Sequence, residues 1–188
     1  MKKIKIYESL YRKNPETGRV IIDIALEDYQ EFFHIWDNSA FKKRDIHDEL
    51  VQFLYLCSED IPLKRNIEIV FSLQTGEKSK EKENLIRTSY INYFCSVKRL
   101  ERRKTKRFIR NSLILLFIAI MLLTLYGLLI PIKQESVMSK VLFESLLIGG
   151  WVFTWEAVHL LFIDIIEPFR RHREIDRFLE AELSFIYL

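Results

Sequence analysis

Nineteen consecutive uncharged residues, Ser112 to Ile130 (SLILLFIAIMLLTLYGLLI), constrain this chain more than any other feature. As an α-helix they reach about 28 Å, close to the ~30 Å hydrocarbon thickness of a bilayer. Pro131 closes the run. A helix buried in a soluble core is rarely apolar on every side over such a length. The sequence therefore predicts a membrane-spanning helix.

Topology then predicts a second span. The segment from about Leu142 to Ile166 is apolar but carries Glu144, Glu156, His159 and Asp164. Arg170-Arg171-His172-Arg173 comes directly after it, and such basic runs stay on the cytoplasmic side. Eight cations precede the first span: Lys98, Arg99, Arg102, Arg103, Lys104, Lys106, Arg107 and Arg110, against one acid, Glu101. The Pro131–Val141 loop has only Lys133 and Lys140. Both termini are thus expected in the cytoplasm, with the hairpin crossing the membrane. The N-terminus has charges but no apolar stretch of the kind a cleavable signal peptide needs.

The acids of the second span are its most informative residues. A charge near a bilayer centre costs about 2.5 kcal/mol or more, so it is kept where protein or a wet cavity receives it. At 100° per residue, Ser145, Gly149, Val152, Glu156, His159, Ile163 and Glu167 fall on one stripe, spaced like a helix–helix seam. Two readings stay open: a packed, hydrogen-bonded Glu156–His159 pair, or the lining of a pore. Two helices cannot enclose a channel, so the pore requires a homo-oligomer. Trp151 and Trp155, at mid-span, suggest helix packing, and the face opposite the stripe suits lipid.

Charge elsewhere is balanced: residues 1–97 hold 15 Lys/Arg and 16 Asp/Glu, so the net charge of +3 reflects a local cluster. That pattern is unlike a uniformly basic nucleic-acid-binding domain. The cluster suits anionic lipid headgroups, a basic ring for a nucleotide or oligonucleotide, or simple solvation of a helix. The first needs nothing else to be true.

The N-terminal part reads as an α+β domain of order β-β-α-α-β. Residues 3–11 and 19–26 form a hairpin about the Asn14–Gly18 turn. A helix begins near Glu27 with Tyr29, Phe32, Phe33 and Trp36 on adjoining turns, and Asp37-Asn38-Ser39 breaks it. Asp45 to Ser58 is amphipathic, with Ile46, Leu50, Phe53, Leu54 and Cys57 on one face, and Asn66 to Leu73 is a strand. From about Glu77 no breaker appears before Pro131, which predicts one long helix into the membrane. The tail carries a short amphipathic helix, and its last residues, SFIYL, are expected to add a strand to the cytoplasmic domain. The domains are then 1–76 (α+β), 77–110 (basic connecting helix), 111–167 (all-α transmembrane hairpin) and 168–188 (tail).

No phosphate-binding loop, nucleophile elbow, CxxC or HExxH motif is present. The histidines His34, His47, His159 and His172 are scattered, and His47 with Asp45, Asp48 and Glu49 reads as a capped helix start rather than a metal site. Cys57 and Cys95 read as buried free thiols of a reducing compartment. No catalytic residue, metal or cofactor is expected.

The segment Gly149-Gly150-Trp151-Val152 through Pro168 and the basic run, with FKKRDIHDELVQFLYLCSEDIPLKRNIEIVF, resembles a group of uncharacterised bacterial two-helix membrane proteins. Their build is similar to membrane effectors of antiphage defence, among them the transmembrane component of Hailong-type systems. The resemblance covers most of residues 40–180. It implies a small oligomeric channel, gated by a soluble domain in response to a nucleotide or oligonucleotide made by a partner enzyme, whose opening depolarises the infected cell in abortive infection. It assigns no ligand residue. A non-conducting membrane anchor for a soluble partner is the alternative.

Overall fold

A computed structural model describes residues 6–34, 45–74, 78–129 and 137–188. The chain divides into two compact units: residues 1–99 with 172–188, and residues 100–171. The elements are α1 (Ile6–Leu10), β1 (Val20–Leu26), a 3₁₀ turn (Tyr29–Phe32), α2 (Asp48–Asp60), β2 (Ile67–Leu73), α3 (Lys80–Leu129), α4 (Val137–His159), a π turn (Leu160–Asp164), α5 (Ile166–Leu179) and β3 (Glu182–Tyr187).

The first unit is built on a three-stranded sheet of order β1-β2-β3, parallel throughout. Val20 pairs with Ile67 and Leu26 with Leu73, while Ile69 pairs with Leu183 and Leu73 with Tyr187. One face, carrying Val20, Ile22, Ile24, Ile67, Ile69, Phe71 and Leu183, is buried in the core. The residues of β2 are near-continuously apolar, as a central parallel strand requires. Parallel neighbours need crossovers, and here the second crossover contains α3, α4 and α5. The final strand predicted from SFIYL is present and pairs with β2.

Helical faces close the core. From α3 come Ile86, Tyr90 and Phe94, and from α5 Ile175 and Phe178, all buried. Phe94 stacks on Phe178 at 4.7 Å between ring centroids, and Tyr55 of α2 meets Phe178 edge-on at 5.3 Å. Such geometries favour the ring quadrupoles and add to the burial of apolar area. Tyr90 donates its hydroxyl to the Phe178 carbonyl at 3.0 Å.

Several expectations are corrected. Residues 6–10 are helical, so no strand precedes the Asn14–Gly18 turn there, and residues 3–5 lie outside the described residues. The turn exists: the Asn14 side chain accepts from Glu16 and Thr17 N–H, and Gly18 takes φ 68°. It closes one antiparallel bridge, Lys13 to Val20, and not a hairpin. The 6–10 segment instead contributes the buried Tyr7 to the core as one helical turn, and β1 pairs in parallel with β2. The helix expected from Glu27 is one 3₁₀ turn capped by Asp28, after which Phe33 is extended and bridges Ile46. Trp36 and Asp37-Asn38-Ser39 lie outside the described residues. α2 runs three residues later than expected at its start, and its buried face holds Val51 rather than the exposed Phe53. Cys57 is buried as expected, but Cys95 is exposed on α3.

Burial pushes the Tyr90 phenol well above its usual value, and burial first, then Cys57 and Asp60, does the same for Tyr11. The unfolded phenols ionise near 10. Below that both states are neutral and the fold keeps its full stability. Above it the unfolded chain sheds protons that the folded chain retains, so stability falls as pH rises toward the raised values. Alkaline unfolding of the sheet unit, monitored by limited proteolysis between about pH 9 and 11, is expected to be steep. Tyr90→Phe is expected to flatten it while costing about 1 kcal/mol at neutral pH through the lost bond to Phe178.

Candidate functional site

The unit over residues 100–171 contains the later part of α3, then α4, the π turn and the start of α5. Both helical runs, Lys80–Leu129 and Val137–Leu179, are long and apolar enough to cross a membrane, and only 11% of each apolar window is buried. Core helices of soluble proteins bury such windows. Here the exposed side chains include Phe117, Met121, Leu128, Ile148 and Phe162.

Small residues set the contact of α4 with α3. Gly150 and Ala157 are buried on α4, as are Ser112 and Ala119 on α3. A Cβ at Gly150 would lie 2.7 Å from Cδ2 and 2.8 Å from Cγ of Leu123, so a larger residue there would have to displace the Leu123 side chain. At Gly149 the nearest atom is Leu122 Cδ1 at 3.9 Å, which leaves ordinary room.

Of the predicted stripe, Ser145, Gly149, Val152, Glu156 and His159 lie on α4, Ile163 in the π turn and Glu167 on α5. Ser145, Val152, Glu156, Ile163 and Glu167 are exposed, and Gly149 and His159 are half-buried. The face of α4 that meets α3 is the one bearing Gly150 and Ala157, so the lipid-suited face expected opposite the stripe is partly used within the chain. Trp151 and Trp155 are not packed between the chain's own helices. They are exposed and stack on each other at 6.4 Å with ring planes 6° apart.

His159 pairs with Asp164 rather than Glu156: its Nδ1 lies 3.4 Å from Oδ2. The π turn over Leu160–Asp164 makes this possible. An i→i+5 repeat brings residues five apart onto one side, which a regular α-helix does not. Sequence spacing at 100° per residue could not show that change of register.

The basic cluster divides. Lys98 pairs with Asp176 at 2.5 Å in the first unit, and Lys104 with Glu101 at 2.8 Å. Arg99, Arg102, Arg103, Lys106, Arg107 and Arg110 have no carboxylate within ion-pair reach among the described residues. Two shallow grooves run along this stretch of α3. One is lined by Leu100, Arg103, Lys104, Arg107, Phe108 and Asn111, the other by Lys106, Ile109, Arg110, Leu113, Ile114 and Phe117.

Within the sheet unit, sequence reasoning missed a buried polar network. Arg177 donates to the carbonyls of Ser58 (2.7 Å), Ile61 (2.9 Å) and Pro62 (3.2 Å) and to the Ser58 hydroxyl, which also donates to Glu174 Oε1 at 3.0 Å. Burial lowers the Arg177 pKa, and Glu174 partly opposes it. These groups satisfy the carbonyls at the end of α2, a capping role that joins α5 to α2. The available signal was Glu174 and Arg177 flanking Ile175 and Phe178 on the apolar face of the tail helix. Glu68 on β2 is likewise buried, bound by Asn14 and Ser184 at 2.7 Å each. His34 stacks on His47, whose Nδ1 accepts the Glu49 N–H and caps α2. Among the described residues no His, Cys, Asp and Glu group has metal-binding geometry.

No protein-family model, curated protein or solved structure matches this chain.

Gly150→Ala is expected to force α4 away from Leu123 and to lower the melting temperature of the detergent-solubilised chain, at a cost of about 1–3 kcal/mol. Gly149→Ala, with open space, is expected to leave it within measurement error in the same scanning fluorimetry.

Proposed function

We propose that this chain is a subunit of an oligomeric channel in a bacterial inner membrane, gated by its cytoplasmic sheet unit. The observation that carries this reading is the place of the apolar unit in the chain. It is inserted between β2 and β3, so the segments on either side of it belong to one compact unit. Two spans that leave and re-enter the same folded unit must begin and end on one side of the membrane. The basic runs before the first span and after the second make that side the cytoplasm.

The exposed stripe on α4 supports self-association. Glu156 faces away from α3 on a helix whose neighbours are Val152, Trp155 and Ile163. Lipid on that face would leave an uncompensated carboxylate in hydrocarbon. Other copies of the chain would instead surround an aqueous path with Glu156, Ser145 and Val152 and keep the acids hydrated. Carboxylate rings of this kind favour cations. The stimulus acts on the sheet unit, and the resemblance drawn from the sequence adds a nucleotide or oligonucleotide made by a partner enzyme, with membrane depolarisation in antiphage defence as the outcome.

Planar-bilayer recording of the reconstituted chain tests this. Wild type is expected to conduct, and Glu156→Gln to change conductance or cation preference severalfold while the oligomer measured in nanodiscs persists. A wild-type chain that inserts as a monomer, or that carries no current, overturns the channel in favour of a membrane anchor, and an unchanged current in Glu156→Gln removes Glu156 from the conduction path.

A further inference from the structure

We infer that α3 carries a binding lane for one anionic phospholipid, its phosphate held by Lys106 and Arg110 and one acyl chain laid on Ile109, Leu113, Ile114 and Phe117. The inference rests on the membrane reading above but not on conduction.

Three observations carry it. First, these six residues line one shallow groove whose surface is almost wholly apolar below its two cations. They recur at spacings of three, one, three, one and three, which keeps them on one helical face. Second, that face points away from the chain's own packing. At 100° per residue Arg110 and Phe117 lie within about 20° of each other, and both lie roughly opposite the buried Ser112 and Ala119. Phe117 is 67% exposed and Leu113 52%. Third, the cations are uncommitted. No carboxylate pairs with Lys106 or Arg110 among the described residues, although Lys98 and Lys104 nearby are both paired.

The ligand's chemistry is dictated by that order of groups. A phosphate needs charge at one end, and Lys106 and Arg110, one turn apart, can share it as point charge and fork. The groove continues from Arg110 as apolar surface, and Leu113, Phe117 and Met121 extend it about 16 Å from Arg110, half the hydrocarbon thickness. A free nucleotide or an oligonucleotide would use the two cations and leave the apolar lane bare. Only a ligand with a charged head and a long apolar chain complements both.

The full chain, purified in detergent, is to be exposed to mixed micelles of phosphatidylglycerol and phosphatidylcholine, and retained lipid counted by native mass spectrometry. Wild type is expected to keep phosphatidylglycerol preferentially. Lys106→Gln with Arg110→Gln is expected to lower that retention roughly tenfold. Arg99→Gln with Arg103→Gln removes the same charge outside the lane and is expected to leave most of the retention. Phe117→Ala is expected to weaken retention of the lipid without altering any binding of soluble glycerol phosphate. Equal losses for both charge pairs would mean diffuse attraction and overturn the site. So would no headgroup preference in wild type, binding of glycerol phosphate as tight as that of the lipid, or displacement of the lipid by a single-stranded oligonucleotide. If the double variant fails to insert, the wild-type preference and Phe117→Ala still decide. Lipid retention lost with current intact, or the reverse, separates this site from the channel.

Discussion

The parallel pairing of β2 with β3 is the constraint on which the rest of the sheet unit depends. Without it β2 has an open edge, and Phe71 loses its stacking partner Phe185 at 5.6 Å. The two strands are joined through the 108 residues from Gln74 to Ala181. Loop-closure entropy grows only with the logarithm of length, so this crossover costs about 2 kcal/mol more than one of a dozen residues. Burial of Leu183, Ile175 and Phe178 and the ring contacts of Phe94 and Phe178 are of a size to offset that. A parallel sheet can therefore host a long apolar insertion where an antiparallel hairpin, with its two-residue turn, cannot.

That arrangement limits how the apolar unit could cross a bilayer, without reference to charge. The chain enters the apolar unit from α3 and leaves it into α5, and the flanking parts of both helices are buried in one core. If the apolar helices cross a bilayer, they cross it an even number of times. The distribution of Lys and Arg then has only to select the side. Arg177 contributes by capping the end of α2, since its bonds to Ser58, Ile61 and Pro62 connect the returning helix to a segment more than a hundred residues earlier.

Legibility in the sequence tracks the strength of the local signal. The two apolar runs, the central strand and the C-terminal strand are readable because their composition leaves few alternatives. β1 is readable as a strand but its partner is not, because pairing is decided by which edge buries Ile22 and Ile24, and no local pattern records that. The Tyr29–Phe33 segment carries aromatic residues at helical spacing, yet tertiary packing of Phe32 against Phe71 prevails and only a 3₁₀ turn forms. The stripe on α4 is readable as a set of residues at helical spacing, while its relation to α3 is hidden. Gly149 and Gly150 look alike in sequence, and only the second lies against Leu123.

The choice of Gly150 over Gly149 for that contact limits what the apolar unit can be. Had the Glu156 face met α3, the carboxylate would have been sheltered inside one chain, and a monomer would have been a complete membrane protein. Instead the small residues Gly150 and Ala157 take the intrachain contact, where close approach of backbones gains van der Waals contact without needing polar groups. The ionisable residues are left on a face that neither α3 nor lipid serves. On α3 the converse holds: the face turned from α4 is apolar from Leu113 onward and cationic before it, a sequence of groups matching lipid tail and headgroup in register. The two helices thus present unlike outer surfaces, apolar on α3 from Leu113 onward and bearing the exposed Glu156 on α4. In the channel proposed above, an assembly with α4 inward and α3 outward would suit both surfaces at once.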